Sequence, residues 1–354
     1  MTEVALTNGD LSELLSRAAE SEEGHRVRAL RRASSAAMFW PEEAAHLADA
    51  GRALTELRSV GPWVERLLLG WLESPPTDLR RPELRSGFLT RSEARRTIAE
   101  NPGWTDGLRS DLQMHTTHSD GKATITEMLE GARAIGHRCV AFTDHSQGLP
   151  IANGMDEVRL REQAELLREG NAAVAGDGGG PIVGLHGIEM NLSPEGEGDM
   201  DPGALAELDI VLGAFHSKLR LKEDQTERYL AALANPDVQV LAHPRGRMFG
   251  RRLGLSADWP RVFASAADRG KALEADAHPE RQDLDVERLE IARDAGVWIS
   301  IDTDAHSPGE LEFQEFGVAA AIRARIPRER VLNFLSVEEL RDWVAESRER
   351  AKKR

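Results

Sequence analysis

The chain has 354 residues, enough to bury a sizeable core and to form one large domain with a smaller one beside it. Its formal net charge of −15 argues against non-specific coating of nucleic acid, and its single cysteine, Cys139, excludes a disulfide framework. No run of about 18 apolar residues is present, so no membrane span is expected. The opening "MTEVALTNGDLSELL" lacks the basic and apolar regions of a signal peptide, and a cytoplasmic location is the default expectation. Residues 1–100 hold 14 Arg and no Lys against 16 Asp and Glu, a balance of −2, so the remaining −13 lies in residues 101–354. A domain that gathers divalent cations would show that asymmetry.

In chain order, residues 1–73 read as helical throughout. The segments "DLSELLSRAAESEEGHRVRALRRASSAAMFW" and "PEEAAHLADAGR" have helical spacing, and two apolar helical pieces then meet at Ser59-Val60-Gly61-Pro62. Residues 74–107, with "SPPTDLRRP" and "NPGW", read as a linker containing one short helix. From residue 108 the pattern changes to alternating strands and helices. Strands are predicted over 111–116, 139–145, 182–192, 209–217, 238–244, 271–277 and 297–306, with helices over 125–135, 156–175, 225–234, 259–268, 286–295 and 317–325. Seven such units predict a mostly parallel sheet, either a barrel or doubly wound, ending near residue 345 before a charged tail over 346–354.

Almost every predicted strand ends in a side chain able to bind metal. The first gives Gln113, His115 and Asp120; the second, Asp144 and His145; the third, Glu189. The fourth gives His216, the fifth His243, the sixth Glu274, and the seventh Asp304 and His306. Parallel β/α folds collect their chemistry at that face because all strand ends converge there. Five polar loops ending five strands in imidazole by coincidence is a poor alternative, whereas His25, His46, His137 and His186 read as ordinary polar residues. Asp304 and His306, at i and i+2 on a predicted strand, should share one face and serve neighbouring ions. A mixture of imidazole and carboxylate without thiolate suits Zn²⁺, Mn²⁺ or Fe²⁺, and the number of donors predicts two or three ions.

The stretches "DLQMHTTHSDG", "FTDHS", "GIEMN", "FHS", "AHPRGR", "LEADAHPERQDL" and "ISIDTDAHS", in this order, resemble the PHP (polymerase and histidinol phosphatase) domain, in the version carried by family X DNA polymerases. The resemblance covers about residues 108–345 and implies a distorted seven-stranded (β/α)7 barrel with a trinuclear metal centre. Residue by residue, it implies a first site of His115, Glu189 and Asp304, with Gln113 where the family usually has histidine. The second would comprise Glu189, His216 and His243; the third, Asp120, His145 and His306. Gln113 offers a neutral amide oxygen, a weaker ligand. Arg245 and Arg247 are the expected phosphate clamp, with His118, Glu274 and His278 lining the pocket; Glu274 could equally orient a ligand histidine.

The segment from Gly24 to Glu73 is similar to that family's small all-α helix-hairpin-helix domain, which implies DNA binding through Arg28, Arg31, Arg32 and Gly61. The hairpin here reads Ser59-Val60-Gly61, with one glycine lost, and a plain helical bundle serving as a lid or dimer surface fits nearly as well. The family's nucleotidyltransferase domain is replaced by the linker, so no DNA synthesis is expected. The implied activity is phosphoester hydrolysis by a metal-activated water, with no side-chain nucleophile. Three substrate readings stand: DNA 3′ ends (3′–5′ exonuclease or 3′-phosphatase, in DNA repair), a small monoester of the histidinol phosphate kind, or a non-catalytic module binding DNA or a polymerase partner.

Overall fold

The computed structural model describes residues 6–176 and 178–352, so the first five residues and the last two of the predicted charged tail lie outside it. The chain divides into two compact units, 1–101 and 102–354.

The first unit is helical: α1 (Asn8–Glu20), α2 (His25–Ala37), α3 (Ala44–Asp49), α4 (Pro62–Glu73) and α5 (Arg91–Ala99). Thr7 caps α1 through a reciprocal pair with Asp10. The helices close over Leu11, Leu15, Leu30, Trp40, Leu54 and Leu68, all essentially without solvent exposure. Inside that packing, Ser12 Oγ donates to the Ser34 carbonyl and Ser34 Oγ to that of Ser12, each at 2.9 Å. Much of the predicted linker belongs to this unit. Arg81 pairs with Asp10 at 2.9 Å and Arg85 with the buried Glu13 at 2.7 Å, so charge partners on α1 hold a stretch whose Pro content reads as loose chain. At the hairpin, Ser59 sits in the left-handed region (φ 66°), the backbone conformation that glycine adopts most readily.

The second unit holds seven parallel strands: β1 (Ser110–Met114), β2 (Cys139–Phe142), β3 (Val183–Asn191), β4 (Ile210–Ala214), β5 (Val240–Leu241), β6 (Ala272–Asp276) and β7 (Trp298–Asp302), paired in sequence order. Between and after them run α6 (Ile125–Ala134), α7 (Glu157–Gly176), α8 (Pro202–Ala206), α9 (Thr226–Ala234), α10 (Trp259–Arg269), α11 (Val286–Ala295), α12 (Gln314–Arg323) and α13 (Val337–Lys352). All seven predicted strands are present but shorter than predicted, since several predicted ends are irregular loops carrying polar side chains. The predicted charged tail, as far as residue 352, is the last part of α13, whose Leu340, Trp343 and Val344 pack beneath the sheet.

The barrel closes between β1 and β7 largely through side chains. Backbone pairing there is confined to a bridge between Met114 and Ala305 and the bond from His115 N to the Ala305 carbonyl, 2.8 Å. The Asn333 amide donates to the carbonyls of Ser110 (3.0 Å) and Ile301 (2.9 Å) and accepts from Ile301 N at 2.7 Å. Gln314 Nε2 reaches the same two carbonyls at 2.8 and 2.9 Å. Asp111 accepts from Thr303, and Asp302 from Leu112 N at 2.7 Å, completing a polar staple with no water access. Removing one member strands its buried partners. Asn333→Ala is expected to destabilise the barrel by about 3 kcal/mol in urea unfolding, whereas the exposed Glu329→Ala should leave the midpoint within about 0.5 kcal/mol.

Candidate metal centre

The C-terminal ends of the strands gather the donors predicted from sequence. Glu189, at the centre, has no solvent exposure. Its Oε1 lies 2.7 Å from His243 Nε2 and 3.0 Å from His216 Nε2; its Oε2 lies 3.2 Å from His145 Nδ1 and 3.4 Å from His115 Nε2. His115 Nε2 also meets Asp304 Oδ1 at 2.8 Å. Asp120 Oδ1 faces His306 at 3.3 Å, His145 at 3.6 Å and His115 at 4.0 Å. The rings of His115 and His145, and of His115 and His306, stack with centroids 4.4 Å apart.

Local chain chemistry positions these groups. Asp144, at the end of β2, accepts from Thr116 N and Oγ1, Ser119 N and Oγ, and Gln163 Nε2, so it fixes the loop carrying Asp120 and is itself fully engaged. Gly121 closes that loop against the His115 carbonyl, where a Cβ would lie 2.5 Å from the backbone. His243 and Asp304 both adopt positive φ, 26° and 53°. Asp304 and His306 lie beyond the last residue of β7, so strand alternation does not relate them: Asp304 points to His115 and Arg281, while His306 turns to Asp120.

Burial pushes the Glu189 carboxyl up, but the imidazoles of His145, His216 and His243 outweigh it and hold the group well below the usual carboxylate range. Asp304 is likewise held down against its burial, by Arg281, His115 and His306. Burial lowers His145 to about 4, whereas the bond to Asp120 and the charge of Asp304 raise His306 to about 9 against its own burial.

Three groups of donors lie close enough to hold divalent cations: His115, Glu189 and Asp304; His145, Glu189 and His216; and His115, Asp120, His145 and His306. The first matches the set expected from sequence. In the second, His145 takes the third place and His243 instead meets Glu189 directly; in the last, His115 joins the expected three. The donor set fits a cation. Glu189 Oε2, His115 Nδ1, His145 Nδ1 and His243 Nδ1 are buried and form no hydrogen bond, although Glu189 Oε2 lies 3.2 Å from His145 Nδ1. Nitrogen and oxygen donors without thiolate suit Zn²⁺, Mn²⁺ or Fe²⁺. Gln113 is fully buried on β1, and neither its Oε1 nor its Nε2 has a partner.

The predicted phosphate-binding arginines stand differently. Arg245 and Arg247 each direct Nη1 to Asp285 Oδ2 at 2.7 Å, a carboxylate shared with Arg288 at 3.1 Å. The guanidinium that reaches the donor cluster is Arg281, 3.0 Å from Asp304 Oδ2 and 3.6 Å from Asp276 Oδ2, with a quarter of its side chain exposed. Arg281 is not among the residues expected from the sequence; it lies three residues beyond His278 on the loop after β6, and its place in that loop is the signal that could have found it. Glu274 is fully buried and accepts from His243 N at 2.6 Å, a positioning contact, and His278 lies edge-on to Phe313 with ring centroids 5.4 Å apart. His118 is half-buried, its Nδ1 3.0 Å from Thr116 Oγ1. Arg28, Arg31 and Arg32 are exposed on α2 of the first unit, as is Gly61 at the start of α4.

A parallel β/α barrel with a strand-end cluster of imidazoles and carboxylates has the donor set of the metal-binding β/α-barrel class. Comparison with known proteins makes this particular: a family model described as "PHP domain" matches residues 111–240. A "DNA polymerase/3'-5' exonuclease PolX" of Bacillus subtilis is 38% identical over 234 residues, 66% of this chain and 40% of that protein. A "Probable phosphatase" of Edwardsiella ictaluri is 31% identical over 235 residues, 63% of this chain and 89% of that protein. Among solved structures, a histidinol phosphate phosphatase from Lactococcus lactis, complexed with zinc, L-histidinol and phosphate, aligns over 59% of this chain and 92% of its own, at a TM-score of 0.41 and 16% identity. The chain belongs to the PHP domain family, although it spans only two fifths of the length of the Bacillus relative.

Because Glu189 contributes to two of the three donor groups, its replacement should cost more than one ligand's worth of binding. Glu189→Gln is expected to reduce bound metal, measured by elemental analysis of purified protein, by at least about half. Full retention of metal would remove Glu189 from the centre.

Proposed function

We propose that this chain is a metal-dependent phosphoester hydrolase acting on nucleic-acid 3′ ends, as a 3′–5′ exonuclease or 3′-phosphatase. Phosphoester hydrolysis follows from membership of the PHP domain family and from the donor cluster. The observation that carries the nucleic-acid assignment is the rim beside His216 and His243. Lys218, Arg220, Lys222 and Arg251 are exposed on the loops after β4 and β5, and among the described residues none of them forms an ion pair. In a chain of net charge −15, four cations without ion-pair partners on the loops of the strand-end face suit a substrate whose negative charge extends beyond one phosphate. The likeness to the Bacillus exonuclease and polymerase supports the same reading.

In this proposal divalent cations would be held by His115, Glu189 and Asp304, by Glu189 with His145, His216 and His243, and by Asp120, His145 and His306 with His115. Bound divalent cations would supply Lewis-acid charge to the phosphoryl oxygens and acidify water for attack at neutral pH. Arg281 offers its guanidinium to a phosphoryl oxygen from the solvent side of Asp304, while Asp276 and Asp304 fix its orientation. Glu274 holds the His243 backbone, and so the ring, in place against Glu189. No side-chain nucleophile is needed. A small phosphate monoester is the second reading. The observation favouring it is that the chain covers nearly the whole of the Edwardsiella phosphatase but not of the Bacillus polymerase.

The test is hydrolysis by the Mn²⁺-supplemented protein of a 5′-labelled single-stranded oligonucleotide, with and without a 3′-phosphate, beside glycerol phosphate. Shortening or dephosphorylation of the oligonucleotide supports the proposal; turnover of glycerol phosphate alone moves the assignment to the second reading. Arg281→Ala is expected to lower kcat/KM by about a hundredfold, while metal content stays at the level of the unmodified protein. Replacing Arg28, Arg31 and Arg32 together by Ala should flatten the logarithmic salt dependence of oligonucleotide binding by about two, and an unaltered slope would dismiss α2 as a contact surface.

A further inference from the structure

The loop after β2 contains the most exposed large apolar side chain among the described residues: Ile151 has 95% of its surface in solvent. It sits in a short turn, Pro150–Ala152, between Leu149 and Asn153. A solitary exposed isoleucine on a loose loop would need no explanation. This loop is not loose.

Its root is His145, and its stem is bonded on both sides to chain that carries the donor cluster. Toward β3, Ser146 N donates to the Glu189 carbonyl at 3.1 Å, and Ser146 Oγ accepts from Asn191 N at 2.8 Å; the Asn191 side chain in turn lies 3.2 Å from His216 Nδ1. Asp199 receives Ser146 Oγ at 2.7 Å and also Gly148 N. Toward β1, Asn153 Nδ2 donates to the Ser119 carbonyl at 3.3 Å, next to Asp120, and Arg159 reaches the carbonyls of Asn153 and Gly154 at 2.8 and 3.0 Å. Met155 N returns to the His145 carbonyl at 2.7 Å, and a Cβ on Gly154 would overlap the Ser146 carbonyl oxygen. A tight, fully bonded stem therefore lifts Pro150 and Ile151 from between the chain segments bearing Asp120 and His216, at the mouth of the cluster. The loops after β4 and β5, which leave the same strand-end face, carry the exposed cations Lys218, Arg220, Lys222 and Arg251.

A charged rim and a braced apolar tip on the same strand-end face select a ligand with both characters: an anionic backbone carrying flat, weakly polar groups. Nucleotides in a single strand have them, whereas a compact hydrophilic monoester has nothing for the tip to touch. Resting on the phosphoester-hydrolase reading above, we propose that Ile151, with Pro150, is the surface on which the 3′-terminal base stacks, so that the terminal phosphate is brought into register with the strand-end donors. Aliphatic side chains serve as base wedges elsewhere in nucleic-acid recognition, and stacking is tolerant of base identity. The inference specifies a substrate class, 3′-terminal nucleotides with unpaired bases, and predicts little preference among the four bases.

Two measurements on the full chain test it. In the first, an oligonucleotide with 2-aminopurine at its 3′ end is bound in the presence of EDTA. The unmodified protein should change the emission of that base and Ile151→Ser should not, while Ile151→Phe restores the change. In the second, with Mn²⁺ present, Ile151→Ser should reduce the ratio of kcat/KM for the oligonucleotide to that for glycerol phosphate by about tenfold, chiefly through KM. An Ile151→Ser protein that matches the unmodified one in both measurements overturns the stacking role and leaves the hydrolase reading intact. If the unmodified protein cleaves glycerol phosphate but neither binds nor cleaves the oligonucleotide, the nucleic-acid assignment falls and the stacking role with it. Equal loss on both substrates would make Ile151 a structural residue and also overturn the proposal.

Discussion

A carboxylate without solvent exposure surrounded by four imidazoles is the constraint on which the second unit is organised. Glu189 cannot be hydrated where it stands, and an isolated buried charge of that kind would cost several kcal/mol. His115, His145, His216 and His243 arrive from four different strand ends to meet it. Each must be presented at a depth and angle that regular strands do not supply, which is why the chain leaves strand geometry there: β1 and β7 stop short of His115 and Asp304, and His243 and Asp304 take positive φ. Strained backbone at these positions is the local cost of bringing donors together.

The surrounding carboxylates divide by environment. Asp304, beside Arg281 and His115, is held ionised, whereas burial and the neighbouring Asp276 and Asp302 push Glu274 well up. Ionised groups thus face the cluster, and a carboxyl driven toward its neutral form lies behind it, where Glu274 serves the His243 backbone. The three arginines on Asp285 form a separate arrangement that ties the loop after β5 to the start of α11. Arg245 and Arg247, close to His243 in sequence, direct their guanidinium groups to Asp285, just before α11.

Much of this was legible in the sequence. Seven alternating units each ending in a polar donor make strand order and the functional face readable, since a parallel barrel puts every strand end on one side. The elements missed have identifiable reasons. The helix α8 is five residues long and starts at Pro202, too short for periodicity. The predicted charged tail conceals Leu340, Trp343 and Val344 at helical spacing just before it. The pairing of residues across the cluster was less legible: alternation predicted one shared face for Asp304 and His306, but alternation holds only inside a strand. Arg281 and the five-bonded Asp144 depend on loop conformations that no local pattern encodes. The part of the linker held to α1 through Arg81 and Arg85 is invisible to composition, because ion pairs across some seventy residues of sequence leave no local mark.

The stapled seam between β1 and β7 has a temporal consequence. Ser110 opens the barrel and Asn333 fastens it, with the whole of the strand series in between. During synthesis, the first donor segment therefore emerges more than two hundred residues before the side chain that locks its edge. Until residues 304 and 305 are made, β1 has only its β2 neighbour and His115 lacks its contact with Asp304; Gln314 and Asn333 then fasten an edge already in place. The centre therefore has an order of completion along the chain: the His145, Glu189 and His216 group is whole by residue 216, whereas the two groups that include His115 wait for Asp304 and His306.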